Sequence, residues 1–366
     1  PLNTLIGSGI SVIKRDVPGG SGMHNKFWVF DGRDTSSVTD DWLITGSWNL
    51  TDEGTSRDAQ NAIFIQDQSM ARIYTMEFEE MFGSATETAN ATLAKFGPEK
   101  ADNTPHWTLV SGTKIEVYFS PSDRTTSQIV RALSTANQNI YFGLFSFTRD
   151  ELGAEIIAKK TAGVITRGII DNTGDSGTEY GPLQSAGVDV RSAGHSVVVG
   201  QFHHKYGIVD PFDDASDPMV ITGSHNWSTS AENDNDENTL IIHSGPVARQ
   251  FTQEFAKRYT ESGGTNPILS VEEMKGELPQ VFRLLQNYPN PFNPSTSVDL
   301  SIPTTVFVSL KVYDLMGREI AVLLEAEKQA GTYRVSWDAS VLPSGVYFYR
   351  MQAGNFVETK RMLLMK

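Results

Sequence analysis

Apolar positions between residues 113 and 260 follow two spacings along the chain. Alternation at every second residue, or a short continuous apolar run, predicts a strand, whereas helical spacing predicts a helix. The predicted strands are Lys114–Ser120, Asn139–Phe147 and Val164–Asp171, and the predicted helices are Ser127–Asn137, Leu152–Ala162, Gly181–Ala186 and Pro246–Tyr259. Strands that alternate with helices favour an α/β fold.

Beyond residue 283 the pattern changes to short, partly alternating segments that Gly, Pro or Asp interrupt. The segments read SVDLSI, FVSLKVYDL, EIAVLL, TYRVSW, GVYFYRM and FVETKRMLLM. Closely spaced short strands without helices between them predict an all-β sandwich.

Part of the α/β region occurs twice. In one constant register, ITGSWNLT (44–51) aligns with ITGSHNWS (221–228), and DAQNAIFI (58–65) aligns with NDENTLII (235–242). In a slightly shifted register, MHNKFWVFD (23–31) aligns with FHHKYGIVD (202–210). A register kept over this length predicts two copies of one fold unit. We expect the first copy to lack roughly 65 residues of its α/β unit, with a naturally shortened repeat as the alternative.

The chain is therefore predicted to consist of five segments. They are a truncated first repeat (1–83), a connector (84–112), the second repeat (113–262), a linker (263–283) and a C-terminal β-sandwich domain (284–366). Turn-forming stretches such as FGPEKADNTPHW and SGGTNP mark the connector and the linker. The predicted fold class is α/β, with two repeated α/β/α units of which the first is N-terminally incomplete, followed by an all-β sandwich.

Composition narrows the function classes. The 366 residues include no cysteine, which excludes disulfides, thiolate metal ligands and cysteine catalysis. No apolar run reaches the roughly 18–20 residues that a membrane helix needs. The net charge of −14 is uneven, with −16 in residues 1–280 and +2 in residues 281–366. A strongly acidic body is unfavourable for long-range attraction of DNA, although it is compatible with a local basic pocket.

The stretch FHHKYGIVD contains two adjacent histidines, and its alternation separates them. On a strand, His203 and Lys205 point to one face and His204 to the other, which argues against chelation of one metal ion by both histidines. In MHNKFWVFD the same parity puts His24 and Lys26 on one face. The repeated feature is therefore His-x-Lys, and His204 has no histidine counterpart.

A Gly-Ser-x-Asn sequence follows each His-x-Lys strand and adds groups that suit a phosphate. Ser47 and Ser224 offer hydroxyls, and Asn49 and Asn226 offer amide donors. Lysine and asparagine suit phosphate oxygens, and histidine can attack phosphorus or transfer a proton. Two copies packed face to face would place two histidines on opposite sides of one phosphorus, as an in-line displacement requires.

The two motifs resemble the phospholipase D superfamily, whose signature is His-x-Lys-x4-Asp with Gly-Ser-x-Asn downstream. The matching residues are His24, Lys26, Asp31, Gly46, Ser47 and Asn49, and then His203, Lys205, Asp210, Gly223, Ser224 and Asn226. The resemblance covers about residues 1–260 and implies two repeats around one active site. It also implies phosphodiester cleavage without a metal or other cofactor, through a phosphohistidine, with the lysines, asparagines and serines holding the phosphate. Lys26, Lys205, Asp31 and Asp210 are assigned to the catalytic residues on the same resemblance.

One difference between the copies bears on the roles of the histidines. Thirteen residues after its motif serine the second copy has Glu237, where similar enzymes place an acid that binds the catalytic histidine, and the first copy has Gln60. A carboxylate stabilises an imidazolium and an amide does so far less. We expect Glu237 to act on His203, and we assign His24 as nucleophile and His203 as general acid and base, which is also the usual assignment in relatives with two motifs.

The C-terminal segment resembles the sorting domain of substrates of type IX secretion. The resemblance rests on NYPNPFNPST (287–296), LMGREI (315–320), SGVYFYRMQAG (344–354) and TKRMLLMK (359–366). It implies export to the surface or exterior of a Gram-negative bacterium, with the secretion machinery as partner. A generic β-sandwich binding module is the alternative.

The leading hypothesis is a secreted, monomeric phosphodiesterase that acts on phospholipids. A nuclease with the same chemistry, and an inactive, surface-displayed module, are the alternatives. The sequence selects neither the head group nor hydrolysis over transphosphatidylation. His106, His195, His225 and His243 lie outside the repeated pattern, and we expect no catalytic role for them.

Overall fold

A computed structural model describes residues 2–15, 22–34, 36–194, 200–213, 215–264, 270–274, 279–339 and 342–365. His195 lies outside these residues. The chain divides into two compact units, Pro1–Gly264 and Thr265–Lys366. No helix among the described residues is both long and apolar enough to cross a bilayer.

The first repeat is built on a small antiparallel sheet. Its elements are α1 (Leu2–Gly7), β1 (Phe27–Phe30), β2 (Trp42–Gly46), α2 (Asp52–Ser56), β3 (Ala62–Gln66) and α3 (Gln68–Phe82). The strand order is β1-β2-β3, and α3 buries Met70, Ile73 and Tyr74 in the cluster that also contains Leu43 and Ile65. Asp67 caps α3 by accepting from the backbone N–H of Met70, and Gly83 ends it in the left-handed conformation.

The second repeat contains the larger sheet. After the 3-10 turn Gly97–Glu99, its elements are β4 (Trp107–Val110), β5 (Thr113–Ser120), α4 (Thr125–Ser134), β6 (Asn139–Leu144), α5 (Asp150–Thr161), β7 (Ile165–Ile170), α6 (Tyr180–Ser185), β8 (Asp189–Ser192), β9 (Lys205–Val209), β10 (Met219–Gly223), α7 (Thr229–Asn233), β11 (Glu237–His243) and α8 (Gly245–Glu261). The strand order is β4-β5-β11-β10-β9-β6-β7-β8, with parallel pairing of β6 with β7 and of β7 with β8. The predicted α/β class and the seven predicted elements are confirmed. β4 lies within the segment predicted as a connector (84–112) and belongs to this sheet.

The continuous apolar run of β6 has a direct structural cause. Phe142 packs in a cluster on one side of the sheet with Ile129 of α4, and Tyr141 packs on the other side with Phe255 of α8. A strand that is covered on both faces has no solvent-facing positions, so its sequence does not alternate.

The repeat register extends to whole elements. In the register that aligns ITGSWNLT with ITGSHNWS, strand β2 corresponds to β10 and helix α3 to most of α8. Among the described residues, the first repeat has no counterparts of β5 to β8.

The second unit consists of two four-stranded antiparallel sheets that share one core. Its strands are β12 (Ser270–Met274), β13 (Arg283–Leu284), β14 (Ser295–Ile302), β15 (Val306–Tyr313), β16 (Glu319–Lys328), β17 (Gly331–Asp338), β18 (Gly345–Ala353) and β19 (Phe356–Leu364). The sheet orders are β12-β17-β14-β13 and β16-β15-β18-β19. Alternate residues of both sheets, such as Leu300 and Leu310, meet in one apolar cluster. β12 lies within the segment predicted as a linker and pairs with β17.

Candidate active site

The two His-x-Lys segments enter the site by the same backbone contact with the opposite repeat. The N–H of His24 donates to the carbonyl oxygen of Asp236 at 3.0 Å, and the N–H of His203 donates to that of Ala59 at 2.9 Å. Asp236 and Ala59 are equivalent residues of the two repeats, each just before the residue that binds a histidine ring. Each motif is therefore anchored to the other copy, which brings both histidines to one place.

The ring of His24 binds Glu237 of the second repeat. Its Nδ1 lies 2.7 and 2.8 Å from the two carboxylate oxygens. Burial raises the pKa of Glu237, but hydrogen bonds from His24 and Ser224 outweigh burial and hold the pKa below its usual value. The carboxylate is therefore an acceptor, so Nδ1 of His24 is the donor and Nε2 remains available for chemistry.

The ring of His203 binds Gln60 of the first repeat. Its Nδ1 lies 2.9 Å from Gln60 Oε1, which also accepts from the N–H of Asn49 at 3.0 Å. Gln60 Nε2 donates to the carbonyl of Gly54. This orientation of the amide makes Nδ1 of His203 a donor as well, and again leaves Nε2 available.

The two lysines are buried and disposed alike. Lys26 Nζ donates to the carbonyl of His24 at 2.9 Å, and Lys205 Nζ donates to that of His203 at 3.1 Å. Burial lowers the pKa of Lys26 to about 8, with partial compensation by Glu237. Burial and then the charge of Lys26 lower the pKa of Lys205 well below its usual value. An anion bound between them would favour both ammonium groups.

His203 is the more buried of the two histidines. Burial, and then the charges of Lys205 and Lys26, lower its pKa to about 2. Its ring packs against the ring of Phe145 at a centroid distance of 4.8 Å. Lys205 Nζ lies 5.0 Å from the centre of the Phe145 ring. His203 is therefore neutral at pH 7 in the ligand-free protein.

A family model described as cardiolipin synthase, PLD-like domain, matches residues 1–82 and 129–259, which is more than half of the chain. The chain belongs to the phospholipase D-like family. A second model, the secretion system C-terminal sorting domain, matches residues 286–365. Both resemblances inferred from the motifs are thereby confirmed, and the second implies secretion or surface display.

Individual relatives cover less of the chain. A mitochondrial cardiolipin hydrolase of Mus musculus is 34% identical over 157 residues, 42% of this chain and 67% of that protein. A phospholipase D of Rickettsia prowazekii is 28% identical over 159 residues, 43% of this chain and 73% of that protein. The chain spans 54% of the corresponding Canis lupus familiaris hydrolase. The crystal structure of a phospholipase D family member from Salmonella typhimurium aligns with 41% of this chain and 95% of that one, at 25% identity and a TM-score of 0.35.

The pairing expected from the sequence of this phospholipase D-like chain is wrong. We predicted that Glu237 acts on His203 of its own repeat. The carboxylate instead contacts His24, and the amide of Gln60 contacts His203. The physical reason is the anchoring of each His-x-Lys segment beside the opposite repeat's acceptor residue.

The motif aspartates lie away from the histidines, which corrects their assignment as catalytic. Asp210 follows β9, seven residues from His203, or roughly 20 Å along an extended chain. Its buried carboxylate accepts from the backbone N–H groups of Asn137, Gln138 and Asn139, so it holds the turn that begins β6. Asp31 takes the equivalent place after β1, where it is exposed at φ +55° and its carbonyl accepts from the N–H of Asp34.

The motif serines are fully buried and bind protein groups, which does not fit their assignment to phosphate. Ser224 Oγ donates to Glu237 at 2.6 Å, and Ser47 Oγ accepts from the N–H of Asn61 at 3.0 Å. Ser224 therefore orients the carboxylate that orients His24. Asn49 and Asn226 are half-buried, and Asn226 Oδ1 is buried without a hydrogen-bond partner among the described residues.

The remaining histidines have structural surroundings. His204 is buried between Asn61 and Glu254, and His225 lies 3.5 Å from Glu232. His243 contacts Glu116 and Asp217, and His106 contacts Asp102. No group of three or more His, Asp or Glu side chains in the described part of the chain has the arrangement of a metal site.

Three neighbours of the histidines were not assigned from the sequence. Phe145 comes from the end of β6, far away in sequence, and no local pattern identifies it. Asn61 and Asn238 had a signal, because they are identical residues at equivalent positions of the aligned segments DAQNAIFI and NDENTLII. Each directly follows the residue that binds a histidine ring.

The environment of His203 leads to a prediction about its charge. In Gln60→Glu, a carboxylate would replace the amide at His203 Nδ1 and raise the pKa of His203 from about 2. The charged form would then persist to higher pH than in the wild type. The measurement is an NMR titration of the His203 ring. Gln60→Met is the matched control, and an unchanged titration in Gln60→Glu would contradict the observed pairing.

Proposed function

We propose that the protein is a secreted phosphodiesterase that hydrolyses the phosphate–head-group ester of phospholipids, without a metal, through a phosphohistidine. The observation that carries this proposal is the pair of crossed contacts, His24 with Glu237 and His203 with Gln60. Both rings keep Nε2 available, and the buried lysines lie beside them. Two such nitrogens and two cations suit a tetrahedral phosphorus that is attacked on one side and loses its leaving group on the other.

His24 is proposed as the nucleophile, for a reason that differs from the one drawn from the sequence. Attack by Nε2 on phosphorus, with Nδ1 still protonated, forms a positively charged phosphoimidazolium. The Glu237 carboxylate at 2.7 Å would stabilise that charge as it develops. At His203 the Gln60 amide offers only a dipole.

His203 is proposed as the general acid and then the general base. Burial and then the lysine charges lower the pKa of His203, and a bound phosphodiester anion would raise it by countering those charges, so that Nε2 takes up a proton from solvent when the substrate binds. As the bond between phosphorus and the head-group oxygen breaks, Nε2 of His203 would give that proton to the oxygen. It would then take a proton from water, which attacks phosphorus and displaces His24.

Phospholipid is proposed as substrate on two grounds. Curated relatives carry the names cardiolipin hydrolase and phospholipase D. The charge of −16 over residues 1–280 is unfavourable for long-range attraction of nucleic acid. Phosphatidylcholine, phosphatidylethanolamine and cardiolipin differ at the head group, so they separate head-group preference from general lipid activity.

Purified protein is expected to release the head group from at least one of these lipids at an unchanged rate in EDTA. His24→Asn and His203→Asn are expected to lower the rate by at least about 100-fold, since each removes acid–base or covalent catalysis. Formation of the phosphatidate product and release of the head group are measured side by side, with single-stranded DNA as the competing substrate. Cleavage of DNA alone would establish the nuclease alternative, and loss of activity in EDTA would contradict the histidine mechanism.

The identity of the nucleophile is tested by trapping. Quenching of wild type or His203→Asn in alkaline denaturant, in which the acid-labile phosphohistidine survives, is expected to leave the label of a phosphatidyl-labelled substrate on His24, because hydrolysis of the intermediate needs His203. Peptide mapping by mass spectrometry identifies the labelled histidine. His24→Asn is the control that should carry no label, and a label on His203 in that variant would reverse the two roles.

The C-terminal domain is proposed to direct export through the type IX machinery of a Gram-negative bacterium to the outer surface. Its match to the sorting-domain model over residues 286–365 supports this proposal. When the protein is produced behind a leader peptide in such a bacterium, deletion of 286–365 is expected to abolish its appearance in the medium and outer-membrane fractions. Immunoblots of the fractions check this, with the full chain as control, and normal export of the deletion variant would contradict it.

A further inference from the structure

Asn238 lies where the two repeats meet and contacts both of them. Within the second repeat, its carbonyl oxygen accepts from the N–H of Ser224, and its own N–H donates to Ser224 Oγ. Its side-chain Nδ2 lies 3.2 Å from Asn25 Oδ1 and 3.3 Å from Ser224 Oγ. Its Oδ1 accepts from Thr45 Oγ1 at 2.7 Å and from the hydroxyl of Tyr74 at 3.3 Å. Asn25 is the residue between His24 and Lys26.

Asn61 makes the corresponding contacts from the first repeat. Its backbone N–H donates to Ser47 Oγ, and its Oδ1 accepts from Thr222 Oγ1 at 3.0 Å. Its Nδ2 donates to His204 Nδ1 at 3.2 Å. His204 is the residue between His203 and Lys205, so the arrangement of Asn238 is repeated with the two copies exchanged.

Each amide contacts a threonine of the opposite repeat. Thr222 donates to Asn61 Oδ1, and the hydroxyl of Thr45 lies within reach of both Asn238 Oδ1 and the carbonyl oxygen of Lys26. The Nδ2 atoms face Asn25 and His204. Asn238 is fully buried, where an unsatisfied amide would be costly, so the contacts fix one geometry.

We propose that Asn61 and Asn238 are positioning residues, each of which aligns the catalytic histidine of the opposite repeat. Asn238 holds the centre of His24-x-Lys26 and also contacts Ser224, which donates to Glu237. Its contacts therefore converge on His24. Those of Asn61 converge on His203. The assignment to separate catalytic steps rests on the proposed function, whereas the alignment itself does not.

The alignment is tested first without turnover. The Nδ1–H signals of the two histidine rings are followed by proton NMR in Asn238→Ala and Asn61→Ala. Asn238→Ala is expected to shift or broaden the His24 signal and to leave the His203 signal unchanged, and Asn61→Ala is expected to do the reverse. Equal changes at both rings in both variants, or no change in either, would overturn the proposal.

Milder variants guard against loss of folding. Thr45→Val and Thr222→Val keep the side-chain shape but remove the hydroxyl that contacts Asn238 or Asn61, respectively. They are expected to affect the same ring as the corresponding alanine variant, to a smaller extent. An effect of Thr45→Val on His203 alone would contradict the assignment of Asn238 to His24.

The kinetic test compares dihexanoyl phosphatidylcholine with its 4-nitrophenyl analogue, whose leaving group needs no protonation. Asn238→Ala is expected to slow the first turnover of both substrates by about 10- to 100-fold, the size expected for misplacement of a reacting group. Asn61→Ala is expected to slow phosphatidylcholine similarly and to leave the nitrophenolate burst within about twofold of wild type. Equal slowing of both substrates by both variants would overturn the separate alignment of the two histidines.

The two proposals fail in different ways. If Asn61→Ala slowed both substrates and Asn238→Ala spared the nitrophenolate burst, while the NMR result was as expected, the alignment would stand and the roles of His24 and His203 would be reversed. Absence of turnover by the wild type would overturn the proposed function, and the NMR result would still decide the alignment.

Discussion

The exchange of hydrogen-bond acceptors between the repeats is the constraint on which the site depends. His24 contacts a carboxylate of the second repeat and His203 an amide of the first. In both of these pairs the histidine and its acceptor come from different repeats. The backbone contacts to Asp236 and Ala59 make the same exchange, so the packing of the repeats and the formation of the site are one event.

This arrangement also explains how two lysines can be buried in an acidic protein. Lys26 and Lys205 are 7% and 1% exposed, and each donates to the carbonyl of its own histidine. Desolvation makes their charges costly, and Glu237 offsets them only in part. The lowered pKa values of Lys26 and Lys205 have the same origin as a preference for an anion, because a bound phosphate would supply the missing negative charge.

Sequence reasoning succeeded where a pattern reports on a single strand or helix. Parity separated His203 from His204, and the constant register of the repeat related β2 to β10. It failed where the answer depends on which strands face each other. The spacing between Ser224 and Glu237 describes only the second repeat, yet the Glu237 carboxylate binds His24 of the first repeat. Asp210 belongs to the signature, but its position in the motif does not reveal that it caps the turn before β6. Phe145 follows β6, which pairs with β9 but is far from it in sequence, so no local spacing could have identified it.

The chemical difference between the equivalent positions 60 and 237, an amide and a carboxylate, is consistent with the charge of the site. Two basic side chains, Lys26 and Lys205, lie beside the histidines, whereas a single carboxylate, Glu237, contacts one of the two rings, and this excess of basic groups would favour a phosphodiester monoanion. A second carboxylate at position 60 would remove that excess and weaken the attraction for the anion. An amide keeps the hydrogen bond to His203 Nδ1 and the link to the backbone of Asn49 without adding charge. An amide and a carboxylate at equivalent positions can therefore give the two histidines different partners while each ring keeps a hydrogen bond at Nδ1.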